Sequence, residues 1–209
     1  VTSTTPNPAT TCTGGAVAAP ASGNTVALTN GSIGANSSCT ITVNVLSNTP
    51  SSYTNTIPAN ALTTSQGVTN VAPGTDTLIV LGPPGVTKSF NPSTVVVNAP
   101  SKLTLTLTNG NATAAVLTSI FTDTLPGGVV VATPPNVGGT CTLASVTAIA
   151  NTTSISYASG ASIPPAGCTI EVDVRSASPS TYLNTSAVDD LTTTAGNNPA
   201  PANATLTVV

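Results

Sequence analysis

"CTIEVDV", residues 168–174, alternates side chains without a break: Cys168, Ile170, Val172 and Val174 on one side, Thr169, Glu171 and Asp173 on the other. A period of two with β-branched residues marks a strand that buries one face. The phrase occurs twice. "CTITVNV", residues 39–45, is its partner, with Ile41, Val43 and Val45 in the inward positions. The two copies lie 129 residues apart, and that displacement holds well outside them. It relates Cys12 to Cys141, Cys39 to Cys168, Tyr53 to Tyr182, Asn55 to Asn184, Leu62 to Leu191 and Val80 to Val209. About a third of residues 1–80 are identical to residues 130–209 without a gap. An offset kept through turns as well as strands is the mark of an internal repeat.

Residues 1–80 therefore read as the C-terminal part of an incomplete repeat, residues 81–86 as a Pro-containing linker, and residues 87–209 as a complete repeat. The chain holds two back halves and one front half, so exchange of front halves between identical molecules always leaves one back half unpaired. The sequence also has no Met. We expect an excerpt of a longer tandem array.

The remaining segments alternate in the same way. "KLTLTLTN" (102–109) puts Leu103, Leu105 and Leu107 on one face and Thr104, Thr106 and Thr108 on the other. Turn dipeptides separate such runs: Asn-Gly at 30–31 and 109–110, Gly-Gly at 127–128 and 138–139, Pro-Pro at 164–165. No stretch keeps a helical period. Many short strands between Gly and Pro turns imply an all-β chain of tandem β-sandwich domains. In "LGPPGV" (81–86), Pro83 and Pro84 favour an extended, semi-rigid connection, and hence a rod.

Composition excludes several functions. Charged residues make up 4% of the chain, and Lys88, Lys102 and Arg175 are its only cations. Such a surface cannot neutralise a run of phosphates, so nucleic acid is not expected as a partner. No apolar run approaches the length of a membrane-spanning helix, so no membrane insertion is expected within this segment. Thr, Ser and Asn must cover the surface instead of ions, which weakens repulsion between copies and favours self-association.

Four cysteines in two equally spaced pairs imply Cys12–Cys39 and Cys141–Cys168, the pairing that makes both repeats alike. Zinc binding is disfavoured, because the chain has neither His nor a close Cys-x-x-Cys pair. Disulfides imply an oxidising compartment. Closing a loop of this length is worth about 3.5 kcal/mol in the chain-entropy treatment.

Read in order, "VTKSFNPSTVVVNAPSKLTLTLTN" (86–109), "FTDTLPGGVVVATPPN" (121–136), the cysteine pair, "CTIEVDV" and "YLNT" (182–185) form a specific set. The set resembles the immunoglobulin-like conserved repeat domain of bacterial and archaeal surface proteins, catalogued as a domain of unknown function. The resemblance covers the whole 81–209 unit, and its later motifs recur as "CTITVNV", "YTNTI" and "ALTTSQG" in residues 1–80. It implies a tandem, secreted or surface-attached stalk, adhesin or wall component. It implies a structural role without catalysis, and it supplies no ligand.

With no His, acid–base work would fall to carboxylates or lysines. Glu171 and Asp173 share one strand face, a pairing reminiscent of glycosidases, but Thr42 and Asn44 replace them in the first repeat. Asp189 and Asp190 in "AVDDLTT" are weak candidates for calcium, and the first repeat has Asn60 and Ala61 there. The sharpest chemical candidate is an intramolecular Lys–Asn isopeptide bond of the kind known from Gram-positive pilus domains. Lys88 stands in the opening strand, Asn203 before the closing one, and Asp123 or Glu171 would catalyse. "LPGGV" (125–129) reads as a turn, not as a sorting signal. Sequons at Asn30, Asn36, Asn111, Asn151, Asn184 and Asn203 are expected by chance in so Ser-, Thr- and Asn-rich a chain.

The expectation is an extracellular structural repeat protein at the bacterial cell surface, not an enzyme, without cofactors. Its partners would be neighbouring repeats or copies of itself in a fibre or surface layer. The competing reading is an adhesin module that binds carbohydrate or a host surface through its loops. Three tyrosines (Tyr53, Tyr157, Tyr182), two phenylalanines (Phe90, Phe121) and no Trp offer little to stack on sugar rings.

Overall fold

A computed structural model describes residues 1–209. The chain is all-β, with one short 3₁₀ turn at Leu143–Ser145 and no α-helix. It divides into two compact units, Val1–Val80 and Leu81–Val209.

In the second unit the main sheet is centred on the strand Cys168–Ser176. One side pairs antiparallel with Ser101–Thr108, whose other edge pairs with Gly85–Asn91. The opposite side of the central strand pairs with Val129–Val131 and Gly138–Gly139. Register sets Leu107 against Cys168, Leu105 against Ile170 and Leu103 against Val172, so the two alternating sequences turn their apolar residues to the same face. These side chains are buried as the alternation predicts. Ser180–Ser186, Ala202–Val208 and Thr94–Val95 form a second sheet, and Phe121–Thr124, Ser154–Tyr157 and Val146–Ala148 a third. Their inward residues join one apolar core, an arrangement consistent with a β-sandwich. Gly167 turns the chain into the central strand at φ +87°, where a Cβ would lie 2.3 Å from the Leu107 carbonyl oxygen.

The expected linker is shorter than 81–86. Gly85 and Val86 already belong to the first strand, paired with Thr108 and Leu107. Gly82 is fastened to the same unit: its amide donates to Asn111 Oδ1 at 2.7 Å, and its carbonyl accepts from Asn111 Nδ2 at 2.9 Å.

The first unit repeats the second half of this architecture in register. Ala9 pairs with Thr42 as Gly138 pairs with Glu171. Val17 pairs with Leu28 in the same register that joins Val146 to Tyr157. Tyr53 faces Leu78 as Tyr182 faces Leu206. This last pair corrects the ungapped alignment: Leu78 matches Leu206, so Val80 corresponds to Val208, not Val209. One residue is missing from the second unit's loop between Leu191 and the closing strand. The anchor of that loop is kept. Leu191 N–H donates to Asn198 Oδ1 at 2.7 Å, and Leu62 N–H donates to Asn70 Oδ1 at 2.9 Å.

The strand expected over residues 40–45 is reduced to Ile41–Thr42. Ile41 and Val45 are 42% and 57% exposed, whereas Ile170 and Val174 are 1% and 0% exposed. The cause is the missing neighbour. In the second unit Ser101–Thr108 supplies the hydrogen bonds and the leucines, and the first unit has no counterpart to it. A strand without a partner on that edge has neither ladder nor core to hold it.

Candidate functional site

Three inward-facing series of side chains in the second unit each carry a chemically distinctive polar residue at their middle. Along the first strand, Val86 and Phe90 flank Lys88; along Phe121–Thr124 and beyond, Phe121 and Leu125 flank Asp123; along Ser180–Ser186, Tyr182 and Ser186 flank Asn184. The fold brings the three together. Lys88 Nζ contacts Asp123 Oδ1 as a short ion pair and donates to Asn184 Oδ1 at 3.1 Å. Asn184 Nδ2 donates to Asp123 Oδ2 at 2.8 Å, which closes the triangle. The side chains of Lys88 and Asp123 are 0% exposed, and Asn184 is equally buried. Burial lowers the Lys88 ammonium below its ordinary value of 10.5, against the pull of Asp123 and of the Asp190 charge. An ammonium and a carboxylate in an apolar core persist only when paired and hydrogen-bonded, as here.

The other candidates fall elsewhere. Asn203 sits on the outward side of Ala202–Val208, exposed and opposite Thr185, away from Lys88. Glu171 is engaged on the outer face, where Lys102 Nζ donates to its Oε2 at 2.8 Å and thereby raises the Lys102 pKa. Asp173 accepts from Asn136 Nδ2 at 2.7 Å. Asp189 occupies a turn at φ +66°, and Asp190 Oδ2 accepts the Ala187 amide at 2.5 Å. The residue missed from sequence is Asn184. It had already appeared as a repeat match to Asn55 and in the motif "YLNT".

Both disulfides form as expected, Cys12–Cys39 and Cys141–Cys168, each with Cα atoms 4.9 Å apart. Tyr182 and Tyr53 also keep one role: the hydroxyl donates to a carbonyl four residues upstream, Ser178 at 2.9 Å and Thr49 at 2.8 Å.

The first unit carries a pocket of about 360 Å³ lined by Val26, Val45, Tyr53, Asn55 and Leu78, among others. Counterparts of these residues in the second unit (Ile155, Val174, Tyr182, Asn184 and Leu206) are all buried. There Val86, Phe90, Leu103, Leu105 and Leu107 complete the core. The pocket is thus the open interior of a half repeat. Asn55 stands in it without a lysine or aspartate matching Lys88 and Asp123, because both belong to the front half.

Residues 1–80 and 84–208 match a family model described as a domain of unknown function, DUF7933. The chain belongs to that family. No curated protein matches it.

Proposed function

We propose that the chain is part of an extracellular structural protein, in which immunoglobulin-like repeats follow one another in a surface stalk, fibre or filament. The observation that carries this reading is that two units share strand register, disulfide and tyrosine contact, although one lacks its front half. Selection for a reusable module accounts for that pattern. The disulfides fit an extracellular or secreted protein, and no helix is long and apolar enough to cross a membrane. The nearly uncharged surface, rich in Thr, Ser and Asn, supports lateral association of such modules. The open face of the first unit fits a front half equivalent to residues 85–125, supplied by another repeat.

The test is fractionation of the source cells with an antibody against residues 81–209. Labelling of intact, unpermeabilised cells, and recovery of the antigen in sheared filaments, is the expected result. Antigen found only after lysis would overturn the reading.

A further inference from the structure

We infer that Lys88 and Asn184 become joined by an intramolecular isopeptide bond, with Asp123 as the group that moves the protons. The triangle of contacts carries the inference. A structural ion pair needs only Lys88 and Asp123. The amide of Asn184, bonded to both, makes the pair a reaction site. One carboxylate touches the nucleophile through Oδ1 and the leaving nitrogen through Oδ2. The nucleophile already lies 3.1 Å from the amide oxygen, so its carbonyl carbon is one bond further on. Such placement in a site closed to water replaces an encounter with a fixed geometry.

The chemistry balances within these three side chains. Lys88 passes one ammonium proton to Asp123 and becomes a neutral amine. Its lone pair adds to Cγ of Asn184, and the carbonyl π electrons move to Oδ1. Asp123 gives its proton to Nδ2, while the now cationic Nζ returns one proton to Asp123. The Cγ–Nδ2 bond breaks with its electrons on nitrogen, Oδ1 reforms the carbonyl, and ammonia departs. One amine and one primary amide become one secondary amide and ammonia. No oxidant, reductant or co-reactant is required. Burial favours the step, because it holds Lys88 toward the neutral form that attacks.

Position gives the bond its consequence. It would tie the first strand of the second unit to Ser180–Ser186, the strand paired with its last, across 96 positions of sequence. The same bond at Asn55 would need groups equivalent to Lys88 and Asp123 beside it.

The experiment is intact-mass analysis and tryptic mapping of the whole 209-residue chain, reduced and alkylated. Trypsin can cut only after Lys88, Lys102 and Arg175. The expected result is a mass lower by one ammonia and a branched peptide in which 1–102 is joined to 176–209, with Lys88 uncut. Asp123→Ala and Asn184→Ala should each restore the full mass and cleavage at Lys88. A wild-type chain of full mass, with linear 1–88 and 176–209 peptides, overturns the inference whether or not the variants fold. So does a lost ammonia that maps to a succinimide at Asn30–Gly31 or Asn109–Gly110, with Lys88 still cut.

Discussion

Asn184 Nδ2 donates to Asp123 Oδ2 at 2.8 Å in the core of the second unit, and both residues also contact Lys88 Nζ. The three polar groups satisfy one another where water does not reach. Removing one therefore strands the others. Adding Asp123→Ala to Asn184→Ala, where no cross-link forms, should destabilise the second unit by about 3–5 kcal/mol, the range for breaking a buried pair and leaving its charge unmatched. Urea unfolding reads this directly. Glu171→Ala, which breaks the exposed pair with Lys102, should leave the midpoint nearly unchanged.

The titration of Lys88 gives a pH test in Asn184→Ala, where no cross-link can form. Burial places the folded pKa of Lys88 below 10.5, the value of an unfolded lysine. Between those two values the unfolded state binds more protons, so stability rises with pH and is lost as pH falls through the folded pKa. Asp123 and Asp190 are the charges that act on Lys88, both raising its pKa against burial. Thermal melts of Asn184→Ala in alkaline buffers should show this rise. Lys88→Met made in the same background should not.

Tyr182 lends itself to a paired test. Its hydroxyl donates to the Ser178 carbonyl and accepts from Ser176 Oγ at 2.9 Å, and its ring edge lies against Gly128. Tyr182→Phe should cost about 1–2 kcal/mol, since it removes two internal hydrogen bonds. Tyr53→Phe should cost less, since the Tyr53 hydroxyl bond is exposed to competing water. Denaturant midpoints of the two units compare them.

The disulfide of the second unit closes onto the first residue of the central strand. Cys141→Ala with Cys168→Ala should lower stability by about 3.5 kcal/mol, the chain-entropy value for a loop of this length. Guanidinium unfolding without reductant measures the difference.

Much of this fold was legible because period-two alternation reports a strand and the face it buries. Leu103, Leu105, Leu107, Ile170, Val172 and Val174 follow it throughout. The same parity contained the site. Lys88 shares its side with Val86 and Phe90, Asp123 with Phe121 and Leu125, and Asn184 with Tyr182. Asn203 fails the test: Leu206 and Val208 point inward, so an odd-numbered neighbour points out. Sequence order suggested Asn203 because it lies near the closing strand. Which inward residues meet is decided by sheet order, which alternation does not encode. The exposure of Ile41 and Val45 was likewise hidden, because an inward-facing pattern needs a neighbouring strand to become a core.

Single-molecule force extension of the 209-residue chain tests the inferred bond between Lys88 and Asn184 most directly. A bond between Lys88 and Asn184 withholds the 96 positions between them, so rupture of the second unit should release about 330 Å less chain than its full length. Release of the entire 81–209 segment at wild-type sequence would contradict the account.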